Sequence, residues 1–165
     1  MTNRGRIGSR SVKAIVGLML CASGCAAMAG WAARKQYIVN QTQNYTYGRP
    51  IQAAWPEVRT MFFEQGIEIE NTGEASTFTL ETKWKYTNDA RDKWLIQGLS
   101  VTDQTSQVHL TKVHAVGNSQ SSNRDYDMEW RLIQRLEPDK AAQITSDAEQ
   151  AGAAAKAAKE AEKSN

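Results

Sequence analysis

Between Thr77 and Tyr86 polar and apolar side chains alternate, with Thr82 the one polar residue on the apolar side. Phe78, Leu80, Trp84 and Tyr86 fall on one side, with Thr82 between them; Thr77, Thr79, Glu81, Lys83 and Lys85 fall on the other. A strand turns successive side chains to opposite faces, so a period of two describes a half-buried antiparallel strand. The segment before it has another period. Ile51, Trp55, Val58 and Phe62 recur at i, i+4, i+7 and i+11, one face of a helix. Pro50 suits its first turn and Gly66 its C-terminal stop. Pro56 would remove a backbone hydrogen bond in the second turn, which moves the expected start toward Ala53 or implies a kink there.

Further strands are expected around this pair. Asn44 to Arg49 and Ile67 to Asn71 read as short strands, with a turn at Asn71-Thr72-Gly73. Trp94 to Thr102 follows the polar turn at residues 88–92, with Gly98 marking a bulge. Ser106 to Val116 carries Val108, Leu110 and Val116 on one face but Val113 and Ala115 on the other, and this switch implies a bulge or bend. Gly117 to Asn123 reads as a polar loop. Met128, Leu132, Ile133 and Leu136 then form the apolar stripe of a second helix starting near Asp125. Pro138 breaks or restarts it.

This order predicts an α+β fold. Its antiparallel sheet has four to five strands, with one long helix packed on one face and a second helix after the sheet. A helical Ala/Lys/Glu-rich tail completes it. Trp55, Phe62, Phe78, Leu80, Trp84, Trp94, Ile96 and Leu132 form the expected core. The first six are also the side chains that would face any apolar ligand held between sheet and helix. The tail, residues 137–165, contains ten alanines, four lysines and six acidic residues. It has high helix propensity but no apolar stripe, and reads as a solvated helix that frays.

The N-terminus has its own logic. Arg4, Arg6, Arg10 and Lys13 precede an uncharged run from Ala14 to Gly24, the layout of a secretory signal peptide over residues 1–24. Ala22-Ser23-Gly24-Cys25 resembles the bacterial lipobox. That resemblance implies a diacylglyceryl thioether on Cys25, cleavage before it and acylation of the new N-terminus, including palmitate. Each buried methylene contributes about 0.8 kcal/mol, and two or more chains give stable anchoring. Two other readings stay open: ordinary cleavage after Ala27-Met28-Ala29, and an uncleaved single-pass anchor over Ala14 to Ala33, 20 residues without a charge. Residues 25–43 read as a lipid-anchored tether, with Trp31 at the membrane interface. Ala26 beside the cysteine favours the outer membrane by the same resemblance.

Cleavage before Cys25 alters the electrostatics. Of 20 basic residues, four precede Cys25, so the remaining chain carries 16 against 18 acidic residues, or −2. A chain with that balance is no strongly basic nucleic-acid binder.

Within residues 44–136 the stretch "RPIQAAWPEVRTMFFEQGIEIENTGEASTFTLETKWKY" resembles the BamC-type domain of the bacterial outer-membrane assembly machinery. It shares an apolar residue, tryptophan and valine on a helix, then "GIEIE", then a strand ending "TLETKWKY". The resemblance covers roughly residues 44–116. It implies a helix-grip-like fold and a non-enzymatic periplasmic lipoprotein with a protein partner in the envelope. A curled grip-type sheet holding a small apolar ligand or lipid is the alternative.

The residues themselves supply no catalytic constellation. His109 and His114, the two histidines, are five apart on one strand and point to opposite faces, so they do not share a metal. Beyond Cys25 no cysteine remains for thiolate chemistry. Glu68 and Glu70 share a strand face, and Asp125, Asp127 and Glu129 cluster at the second helix. These read as a solvated face and a helix start favoured by the dipole. No catalytic residue, metal ligand or cofactor is expected. The C-terminal Ser164-Asn165 lacks the lysine that links some lipoproteins to peptidoglycan.

Overall fold

A computed structural model describes residues 10–72 and 78–162. The fold is α+β. Among the described residues four helices, α1 (Arg10–Gln43), α2 (Ile51–Glu64), α3 (Tyr126–Leu136) and α4 (Pro138–Ala161), accompany six strands: β1 (Ile69–Thr72), β2 (Thr79–Thr82), β3 (Lys85–Thr87), β4 (Ala90–Thr102), β5 (Thr105–Val116) and β6 (Ser119–Arg124). All strand pairs are antiparallel, in the order β1-β2-β4-β5-β6 with β3 also on β4. Two compact units result: residues 38–145, and a pair formed by α1 up to Tyr37 with α4 from Ser146. Among the described residues no helix is long and apolar enough to cross a membrane.

In the larger unit α2 begins at Ile51, directly after Pro50, and continues through Pro56. The expected later start is therefore not adopted. Its end follows the Schellman pattern: Gly66 has φ 64°, and the amides of Gly66 and Ile67 donate to the carbonyls of Phe63 and Phe62 at 2.9 and 3.0 Å. Ile51, Ala54, Val58, Met61 and Phe62 are buried on one stripe. Asp125 caps α3 by accepting from the Met128 amide at 3.0 Å. Met128, Leu132, Ile133 and Leu136 join the α2 stripe, Leu80, Trp94, Ile96, Val108 and Leu110 in one core on one face of the sheet.

The sheet departs from expectation in four places. The 44–49 segment contributes only a bridge, Tyr47 to Ser106. Gly117 to Asn123 is not a loop: Gly117, φ 55°, opens a two-residue turn and β6 pairs with β5 from Val116↔Ser119 to Thr111↔Arg124. Gly98 pairs in register with Val108, and the irregularity lies between Ser100 and Thr102. No bulge accompanies the switch of face in β5. The β4–β5 register runs unbroken from Ala90↔Val116 to Ser100↔Ser106, and the strand is buried on one face at Val108 and Leu110 and on the other at Val113 and Ala115.

The long alternation from Thr77 is also interrupted. Leu80 stands opposite Ile96, but Lys85 stands opposite Asp92. Five steps on one side against four on the other is one extra residue, and a one-residue slip exchanges the two faces. Tyr86, expected inside with Leu80, is therefore 69% exposed.

The smaller unit revises the expected tether and tail. Residues 26–37 are helical and α4 lies antiparallel to them. Tyr37 meets Asp147 at 3.5 Å, Arg34 meets Glu149 at 3.4 Å, and Gly30 backs onto Gly152. Ala26, Ala148 and Gly152 are buried. The packed stripe is built from alanine and glycine, too small to register as hydrophobic.

Candidate functional site

The lipobox residues Ala22, Ser23, Gly24 and Cys25 fall within α1, and their side chains lie outside the described residues. Ala26, immediately after Cys25, is fully buried. Trp31 is exposed, with the Lys35 ammonium 5.6 Å from its ring centre.

The six aromatic and aliphatic residues expected to face a ligand divide. Phe62, Leu80 and Trp94 are buried, Phe62 and Trp94 edge to face with centroids 6.2 Å apart. The Trp94 indole N–H donates to Asp125 at 2.8 Å. Trp55 and Phe78 meet edge to face at 5.8 Å on the margin of the core. Trp84 corrects the expectation. The extra residue between β2 and β3 delivers it to the opposite face, where the Arg91 and Lys93 cations lie 4.7 and 5.1 Å from its ring.

That opposite face holds the feature the alternation alone does not single out. A groove of about 470 Å³ crosses it, lined by Thr79 and Glu81 from β2, Leu95 and Gln97 from β4, His109 and Thr111 from β5, and Arg124 from β6. Register explains the convergence: Thr79 pairs with Gln97, Glu81 with Leu95, Gln97 with His109, Leu95 with Thr111, and Thr111 with Arg124. Directly paired residues share a face. Those from β2, β4 and β5 belong to the half of each strand's alternation that points away from α2 and α3, and Arg124 at the end of β6 completes the wall.

His109 is the unusual member. Its Nε2 is buried and has no hydrogen-bond partner among the described residues. Burial, followed by the Arg124 charge, holds its pKa below the usual imidazole range. His114 lies on the other face, bonded to Asp92 at 2.6 Å, with Lys112 at 2.9 Å from the same carboxylate.

Arg124 leads behind the groove to Glu129. This carboxylate, expected in a solvated cluster, is 1% exposed. β6 stops pairing at Thr111, so the Leu110 amide on the β5 edge lacks a strand partner. Glu129 Oε1 accepts from it at 2.7 Å and from Arg124 Nε at 2.8 Å, while the Leu110 carbonyl accepts from the Asp125 amide at 2.8 Å. Burial raises the Glu129 pKa, partly offset by Arg124 and the Leu110 amide. Only Oε1 is paired in this way; Oε2 is buried with no partner among the described residues. Of the other carboxylates singled out, Glu68 pairs with Lys83 at 2.7 Å on the surface, and Asp125 serves as a cap.

Among the described residues no group of three or more His, Cys, Asp or Glu side chains is placed to hold a metal ion. No protein-family model matches the chain, and no curated protein matches it.

Proposed function

We propose that the chain is a non-catalytic binding protein of a bacterial envelope, held to the membrane through acylated Cys25 and facing the periplasm from the outer membrane. The observation that carries this reading is the Ala22-Ser23-Gly24-Cys25 sequence behind a basic start and an uncharged run. The fold is compatible with it. Ala26, the residue after Cys25, is buried and helical, so a lipid on Cys25 would be joined to helix rather than to a slack tether. One face of the sheet is sealed by α2 and α3, which leaves the grooved face to receive a partner. The likeness to the BamC-type domain of outer-membrane assembly supports a protein partner in the same setting.

Radiolabelled palmitate decides the anchor. Label is expected on the wild-type chain and absent from Cys25→Ala, which should also leave the membrane fraction. Label retained in the variant, or missing from both proteins, would refute lipidation at Cys25. For the binding face, a photo-crosslinker at Leu95 in the groove should capture an envelope protein that the same group at exposed Phe63 on α2 does not.

A further inference from the structure

We infer that the groove binds a small oxyanion, a carboxylate or phosphate group, between the Arg124 guanidinium and the His109 imidazole. The inference rests on the groove being the binding face and does not depend on lipidation of Cys25.

Three observations carry it. First, Arg124 uses only its ε nitrogen within the fold, on Glu129 Oε1 at 2.8 Å. Its η nitrogens have no hydrogen-bond partner among the described residues, although the side chain is only 24% exposed. Glu129 and the Tyr126 ring, 5.3 Å from the guanidinium carbon, hold the group in place. A planar fork fixed from behind, with its outer edge free, matches two oxygens of one carboxylate or phosphate.

Second, His109 lines the same groove, and its Nε2 has no hydrogen-bond partner among the described residues. A buried polar atom without a partner costs about 1–3 kcal/mol, and a ligand that bonds to it recovers this. A neutral imidazole beside the guanidinium donates one N–H to an oxygen there. Thr111 and Gln97 add a hydroxyl and an amide at the groove wall.

Third, the charge balance favours an anion. Paired register and the contacts at Trp84 place Arg91, Lys93 and Arg124 on this face. Glu81 is the acidic residue lining the groove, and Lys93 is ion-paired to it. Glu129 faces the sheet edge behind Arg124 and is closed to solvent. A cation entering here would meet the guanidinium. An apolar ligand would leave both the η nitrogens and Nε2 unpaired. The volume, about 470 Å³, falls in the range of small-molecule sites.

The test uses the full chain with ¹⁵N-labelled imidazoles. The two histidines lie on opposite faces, so His114 is an internal control. Inorganic phosphate and succinate are titrated separately, with sodium chloride at matched ionic strength. A saturable shift of the His109 nitrogens with phosphate, with succinate or with both, His114 unmoved, is the expected result, and the two titrations separate phosphate from carboxylate. Arg124→Gln should abolish saturation. Arg124→Lys keeps a charge opposite Glu129 if the glutamine variant does not fold, and should weaken binding about tenfold by losing the fork. An equal response to chloride, or unchanged binding in Arg124→Lys, would overturn the inference. Crosslinking from Leu95 to an envelope protein with no saturable shift would overturn the oxyanion and leave the binding face standing.

Discussion

Gly98 is where α2 comes down on the sheet. A methyl group there would lie 2.6 Å from Ile51 Cδ1, 2.9 Å from Ile51 Cγ1 and 3.0 Å from Phe78 Cβ. None of these has room to yield: Ile51 is buried at the start of α2, and the Phe78 carbonyl accepts from the Gly98 amide at 2.8 Å. Gly98→Ala is therefore expected to destabilise the fold by about 1–3 kcal/mol through overpacking. Ile51→Val removes Cδ1, the nearest atom, so the double variant should be more stable than the two single losses added together. Chemical denaturation of the four proteins measures this coupling, and strict additivity would show that the contact does not limit packing. At this scale the sequence is informative about type and silent about partner. The glycine is visible in the strand, yet a bulge and a close approach leave the same mark on it. Glu129 is similar. Its place near a helix start suits a dipole, and only the point at which β6 leaves β5 makes it the substitute for a missing strand.

Elements are legible in proportion to the contrast in their side chains. The stripes of α2 and α3 consist of large apolar residues at helical spacing, and both helices form where that spacing lies. β6, Ser119–Arg124, has no branched or aromatic side chain, and its pairing comes from the Gly117 turn and the exposed edge of β5. The face of Trp84 and Tyr86 was set by one extra residue against β4, which alternation does not record. The groove lies in the polar halves of β2, β4 and β5, readable as an outward face. Its convergence on His109 and Arg124 depends on register among four strands. α4 is the sharpest case, because its buried stripe of Ala148 and Gly152 offers little area. Its contact is steric: a Cβ on Gly152 would stand 2.8 Å from the Gly30 carbonyl oxygen. Intrinsic propensity alone favours Gly152→Ala by about 1 kcal/mol, whereas the contact opposes it. Faster hydrogen exchange at residues 146–161 in Gly152→Ala is expected, since a backbone oxygen cannot step aside. Exposed Ala153→Gly reports propensity alone. Slower exchange in Gly152→Ala together with faster exchange in Ala153→Gly would mean that propensity, not packing, holds α4.

For the molecule as a whole, the pH dependence of stability follows from shifts of opposite sign. His109 has a folded pKa below its ordinary value because of burial and then Arg124. The unfolded chain takes up its proton first, so stability falls as the pH drops below about 6.5. Glu129 has a folded pKa raised by burial. The folded state binds its proton first, so this group stabilises at low pH and that contribution is lost as the pH rises through the folded value. For Asp92 burial pushes upward, but His114 and Lys112 outweigh it and the net shift is downward. Its contribution is present at neutral pH and lost only under stronger acid. Between neutrality and the ordinary carboxylate range, His109 and Glu129 therefore pull in opposite directions, and single substitutions separate them. From pH about 7 to about 5.5, in a buffer free of phosphate and carboxylate, the melting temperature of His109→Gln should fall less than that of the wild type. Glu129→Gln still offers an oxygen to the Leu110 amide and should lack the wild-type gain on further acidification. Its curve should diverge from the wild type in the direction opposite to that of His109→Gln. Two variants whose curves run parallel to the wild type would mean that neither group's pKa differs between the folded and the unfolded chain.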